Sequence, residues 1–234
     1  MAITTEFLDY EQGGQVYEGF LAHPEGAPKA VIVVAHAWGG QSVYEQEKTK
    51  ALAEWGYAGF ALDLYGKGKR GTTNEENQAL MEPLAGNRPA LQNRLEHGLA
   101  VAKEKTGLTR AAAIGFCFGG LGVLDMARTN MALEGVASFH GLFGAPGNTQ
   151  ETIKPKVLAL HGWDDPMAPP EDVMAFTEEM NSAKADWQLH AYGGVLHSFT
   201  NPKANNPDFG TVYDANADQR SMLACRNFLD ELFA

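Results

Sequence analysis

The chain has 234 residues, 44% of them hydrophobic and 20% charged, the balance of a soluble globule that can bury a large core and unlike that of a disordered, collagenous or coiled-coil chain. Acidic side chains number 29 against 18 basic ones, a formal net charge of -11; the mean field repels phosphate backbones and anionic lipid, so neither nucleic acid nor membrane is expected as a partner. At roughly 100 to 200 residues per domain, a single domain over residues 1–234 is expected.

The opening MAITTEFLDYEQGG has no basic stretch followed by an apolar one, and no uncharged apolar run reaches the ~18 residues that cross a bilayer. A cytoplasmic location is the expectation. Two cysteines, Cys117 and Cys225, are too few for a disulfide framework and are expected as free thiols.

In chain order, two short strands about Gly13-Gly14, the second over residues 15–21, predict an antiparallel hairpin at a sheet edge. Uninterrupted apolar runs follow at residues 30–35, 58–62, 111–116, 135–139 and 156–160; runs without alternation mean strands covered on both faces, as in a parallel sheet. Helical stretches near residues 44–55, 89–105, 119–128, 170–181 and 218–232 lie among them, and a last strand is predicted over 187–192. Residues 66–88 are the longest irregular piece, with a short helix about 75–81. This alternation predicts an α/β fold: a doubly wound, mostly parallel sheet with an antiparallel N-terminal edge hairpin. In such sheets the ligand crevice lies beyond the carboxyl ends of the strands.

At those ends the sharpest signal is Gly115-Phe116-Cys117-Phe118-Gly119-Gly120, directly after a buried strand and before a helix. Glycines flank a nucleophile in this pattern because it sits on a strained strand-to-helix turn. The helix amino end also favours a thiolate. After the strand at 156–160 come His161-Gly162-Trp163-Asp164-Asp165, offering a carboxylate at either Asp, and after the strand at 187–192 comes His197. Nucleophile, acid, histidine is the chain order of α/β-hydrolases. His197 would exchange the proton with Cys117, and an Asp would hold its tautomer.

Together these residues resemble the dienelactone hydrolase family of the α/β-hydrolase fold. The likeness includes Val33 to Gly39 (VVAHAWG), Gly56-Tyr57, Asp63-Leu64-Tyr65-Gly66, the Cys117 turn, the G-x-x-D segment from Gly162 to Pro169, and Leu196-His197-Ser198-Phe199. The resemblance implies a cysteine-dependent hydrolase of small carboxylic esters or lactones, with no cofactor; no metal is expected, and the chain is expected as monomer or homodimer. The resemblance selects Asp165 over Asp164 as the third member of the catalytic set with Cys117 and His197. It also implies an oxyanion hole from the backbone N-H groups of Trp38 and Phe118. His36, Tyr65, Lys67, Phe143 and Phe199, at or beyond the strand ends, are the candidates for a substrate pocket.

Three departures stand out. The family commonly has a Glu at the position of Ala37, which pairs with the resting thiol. Without it a standing thiolate-imidazolium pair is expected, with a thiol that titrates below the ~8.5 of free Cys. Two arginines that clamp the lactone carboxylate are replaced by Lys67 and Asn201, which weakens recognition of an anion and favours neutral esters. A thiolate facing an oxyanion hole is also expected to attack activated aryl or phosphorus esters. Two rival readings are a metal site from His36, His140 and His161 with Asp164 or Asp165, and a non-catalytic thiol redox sensor.

Overall fold

Ile3–Gln12 (β1) and Gln15–Pro24 (β2) pair antiparallel with Gln12 opposite Gln15. The intervening Gly13 and Gly14 both have positive φ, 59° and 79°, which a two-residue turn matched to the strand twist requires. The computed structural model describes residues 2–234, which divide into two compact units, one ending at Ile114 and the other running from Gly115 to Ala234.

The strands that follow, Val31–Ala35 (β3), Ala58–Ala61 (β4) and Ala111–Phe116 (β5), stand with the hairpin in the order β1, β2, β4, β3, β5. β3 and β4 are wholly buried and parallel. The helix Val43–Glu54 (α1) connects them, and β2 pairs antiparallel with β4. Ser42 caps α1 in a reciprocal box with Glu45. Asn74–Ala85 (α2), Arg88–Thr106 (α3) and the buried strand β5 follow. Asn87 caps α3 at its start and Gly107, at φ 68°, ends it.

The second unit opens with the last residues of β5 and the helix Phe118–Arg128 (α4). Gly135–Phe139 (β6), Lys156–Gly162 (β7) and Trp187–Tyr192 (β8) are parallel neighbours in that order. Pro170–Ser182 (α5) links β7 to β8, and Ala215–Leu232 (α6) ends the chain, capped by Asp214. Between β8 and α6 lies a small ribbon of Asn205–Asn206 (β9) and Thr211–Val212 (β10), joined by a 3-10 turn at Pro207–Phe209.

The mixed α/β fold with a mostly parallel sheet and an antiparallel β1–β2 edge is the one the apolar runs predict. Among the described residues no helix is long and apolar enough to cross a membrane.

Candidate active site

Cys117 occupies the junction of β5 and α4 with φ 54° and ψ -114°, a conformation costing a non-glycine residue of order 1–3 kcal/mol unless its surroundings enforce it. They do so from both sides. The Cys117 N-H donates to the Phe139 carbonyl at 3.0 Å, and the Cys117 carbonyl accepts the first helical bond from Leu121 N-H. A Cβ on Gly115 would run into the Gly119 carbonyl, and one on Gly120 would lie 2.7 Å from Gly141 Cα. The glycines of the motif are therefore close-approach positions that let the turn pack against β6 and its following loop. Cys117 itself is partly exposed.

Asp165 and His197 meet across a buried contact. His197 Nδ1 lies 2.6 Å from Asp165 Oδ2, with neither side chain more than 1% exposed. The other carboxylate oxygen, Oδ1, accepts the Met167 N-H at 2.8 Å, which fixes the carboxyl plane. Asp164 is exposed, and its N-H donates to the Val195 carbonyl. Of the two adjacent carboxylates, Asp165 alone thus faces the imidazole. His197 is held by main-chain bonds to the ribbon: its N-H donates to the Gly210 carbonyl at 2.9 Å, and its carbonyl accepts Val212 N-H at 3.1 Å. The next residue, Ser198, has φ 58°.

Burial by itself would lower the His197 pKa, but the charge of the Cys117 sulfur and the Asp165 carboxylate outweigh it and push the imidazole up to about 10. His197 Nε2 is buried, and the nearby Cys117 side chain acts on the ring through both charge and hydrogen bonding. The ring also packs edge-on against His140, centroids 5.1 Å apart, and His140 packs against Phe199 at 5.2 Å. His140, at φ 38°, is tied through Nε2 to Thr200 Oγ1 at 2.7 Å. This clasp around His197 has no sequence signature.

The dienelactone hydrolase family model matches residues 17–233. The chain belongs to the dienelactone hydrolase family. A crystal structure of a dienelactone hydrolase-like promiscuous phosphotriesterase from metagenomic libraries matches all of both chains with a TM-score of 0.93 and 31% identity. An uncharacterized protein of Caenorhabditis elegans is 38% identical over 149 residues, 62% of this chain and 91% of that protein. A Saccharolobus solfataricus protein provisionally named carboxymethylenebutenolidase is 26% identical over 259 residues, 94% of this chain and 96% of its own.

In this member of the dienelactone hydrolase family the remaining candidate residues are distributed as follows. His36 is fully buried; Leu64 N-H donates to its Nε2 at 3.0 Å and its Nδ1 meets the Ala37 carbonyl at 2.7 Å. Burial drives its pKa down to about 4, so it is a neutral tie between the turns after β3 and β4. Tyr65 donates its hydroxyl to the Trp38 carbonyl at 2.9 Å. Glu45, also buried, accepts from Ser42 N-H and Oγ and from Ala37 N-H. Arg70 grips the Gln41 carbonyl and side chain. The loop carrying Trp38 is thus held from three sides within the first unit.

The two positions where the resemblance implies arginines are differently engaged. Lys67 pairs with Asp9 at 2.6 Å and Glu18 at 3.5 Å on the hairpin, while Asn201 accepts Lys203 N-H at 3.0 Å. Phe143 stacks on Phe176 and meets the His161 ring edge-on. It lines a cavity of about 170 Å³ with Asp172, Ala175 and Glu179. Phe199 has no exposed surface. Burial lowers the His161 pKa and keeps that ring neutral. No three His, Cys, Asp or Glu side chains group as a metal site among the described residues.

A second buried network was not legible in the sequence. Arg128 is fully buried and pairs with Asp125 at 3.4 Å and Glu179 at 2.7 Å, and it donates to the carbonyls of Phe143 and Gly144. It fastens the end of α4 to α5 and to the segment bearing Phe143.

Proposed function

We propose that the chain hydrolyses small carboxylic esters or lactones through Cys117, His197 and Asp165, with a thioester intermediate. The observation that carries this reading is the buried 2.6 Å contact of His197 with Asp165, on an imidazole whose pKa Cys117 and Asp165 together raise. Such an arrangement keeps the imidazole protonated beside the sulfur, an acid already prepared next to the nucleophile.

The Cys117 sulfur attacks the carbonyl carbon, forming a C-S bond as the C=O electrons move onto oxygen. The Phe118 N-H at the start of α4 stabilises that oxyanion. Collapse expels the leaving alkoxide, which takes the proton from His197. The neutral imidazole then removes a proton from water; the resulting hydroxide attacks the thioester, releasing the acid and returning the sulfur as thiolate and His197 as imidazolium. Asp165 keeps the Nδ1 proton in place throughout. The chain acts as one α/β-hydrolase domain in this reading.

Neutral esters are favoured over anionic lactones. Lys67 is engaged by Asp9 and Glu18, and Arg70 by Gln41, which supports a site without an arginine clamp. A second reading, turnover of activated aryl or phosphorus esters, is favoured by the 31% identity over the whole chain to the promiscuous phosphotriesterase.

The test is pre-steady-state release of nitrophenol from an aryl acetate, with native protein, Cys117→Ala and added chelator. A burst or turnover that vanishes in Cys117→Ala and ignores chelator is expected. Release that persists in the variant overturns the nucleophile; no release from either, with reversible oxidation of Cys117, would establish the thiol sensor instead. Repeating the assay with an aryl dialkyl phosphate decides the second reading.

A further inference from the structure

Away from the Cys117 junction, a groove of about 370 Å³ runs along β8 and α6 in the second unit. Gln188, His190 and Tyr192 alternate along β8 and so share one face of the strand. Arg220, Ala224, Asn227 and Glu231 fall on one stripe of α6, about 16 Å from end to end at the rise of a helix.

The two ends of that stripe differ in charge. Glu231 is paired with Lys156 at 2.7 Å. Arg226 pairs with Asp230 at 3.9 Å, and Asp218 accepts the Tyr213 hydroxyl. Arg220 has no carboxylate partner among the described residues, in a chain whose formal net charge is -11. Beside it the Tyr192 hydroxyl is buried without a hydrogen-bond partner among those residues. Burial raises the Tyr192 pKa to about 12, which Arg220 opposes, so the hydroxyl remains a donor at neutral pH. Between the ends the helix presents exposed Leu223 and buried Phe228. A desolvated donor next to an unpaired guanidinium, with an apolar strip alongside, is suited to an anion on an apolar body.

We propose that this groove binds a small monocarboxylate, its anionic end on the Arg220 guanidinium and the Tyr192 hydroxyl and its alkyl or aryl body along Leu223, Ala224 and Phe228. The Glu231 end disfavours a second carboxylate and sets the orientation. Acids of this kind are the products of the proposed ester hydrolysis; that link alone rests on the proposed activity, while the binding itself does not.

The test is calorimetric titration of the full chain with benzoate and with hexanoate after Cys117 has been alkylated by iodoacetamide, so that the reading of Cys117 plays no part. Saturable 1:1 binding is expected, at least tenfold weaker in Arg220→Gln, at least threefold weaker in Tyr192→Phe, and at least tenfold weaker for neutral benzamide. Asn227→Asp, at an exposed position, sets a negative charge in the groove and weakens benzoate independently of Arg220. Absence of saturable binding, binding unchanged by Arg220→Gln and Asn227→Asp, or equal affinity for benzamide would overturn the proposal. Benzoate binding to the unmodified protein that alkylation abolishes would place the acid at Cys117 and overturn it equally.

Discussion

Replacing Asp165 by Asn tests the buried contact at the centre of the site. The substitution keeps the shape of the side chain and removes its charge. Oδ1 of Asp165 accepts the Met167 N-H at 2.8 Å and Oδ2 faces His197 Nδ1 at 2.6 Å. An amide in this pose must keep its oxygen on Met167 N-H, because turning it over would set two donors against each other. Its NH2 group then faces Nδ1 and drives the ring to the tautomer with the proton on Nε2, which cannot serve as a base toward the sulfur. Opposite charges with centres about 4 Å apart at an effective dielectric of 20 interact by about 4 kcal/mol. At 1.36 kcal/mol per decade this is about three decades of rate, and the wrong tautomer extends the expected loss in kcat/KM toward about 10⁴. The assay is aryl acetate hydrolysis with far-UV circular dichroism to verify the fold, and Asp164→Asn, at the exposed neighbour, serves as the control with unchanged rate. A loss below tenfold in folded Asp165→Asn, or an equal loss in Asp164→Asn, would refute the reasoning.

The protonation of His197 has a signature in stability. Its pKa is about 10 in the folded chain against an ordinary 6.5, so its contribution is complete below pH 6.5 and is lost as pH rises through about 10. The difference in Tm between native protein and His197→Gln is therefore expected to narrow from pH 7 to pH 10; a constant difference would contradict it. Gly115→Ala sets a methyl group against the Gly119 carbonyl, a backbone neighbour that cannot swing aside. A loss of about 1–3 kcal/mol in urea denaturation is expected, and unchanged stability would show that the elbow tolerates a Cβ. Arg128→Ala leaves the Asp125 carboxylate fully buried without its cation, and about 3–5 kcal/mol of destabilisation is expected in the same measurement.

The fold was legible wherever burial leaves an uninterrupted apolar run. Residues 111–116 and 135–139 are read as strands in the sequence and are β5 and β6 with the same bounds, both wholly buried; residues 187–192, part-exposed, are read as a strand too and are β8. Residues 66–88 read as mostly irregular, yet α2 spans Asn74–Ala85. Pro83, which in a sequence marks a helix end, sits inside that helix in its last turn, and Thr73 caps the start by accepting Glu76 N-H. The ribbon of β9 and β10 could not be read at all: each strand has two residues, too short for any period, and its Asn, Pro and Gly content reads as loop.

That ribbon also explains why the site was only partly legible. Cys117, Asp165 and His197 each follow a strand, so their order along the chain carries information about their place in the fold. What orients His197 is main chain of Gly210 and Val212, together with the His140–Thr200 pair. Backbone groups have no residue-type signature, and neither a threonine nor a histidine beside a core strand announces its partner. The same limit applies to charge. Lys67 reads as a point charge in place of a clamping arginine, and its partners, Asp9 and Glu18, cannot be read beside it because they lie about 50 residues upstream on the hairpin, which only the pairing of β2 with β4 brings near. A charged side chain in a loop is thus a candidate for binding only after the fold has named its neighbours. Arg220, adjacent in sequence to nothing that marks a site, is the converse case.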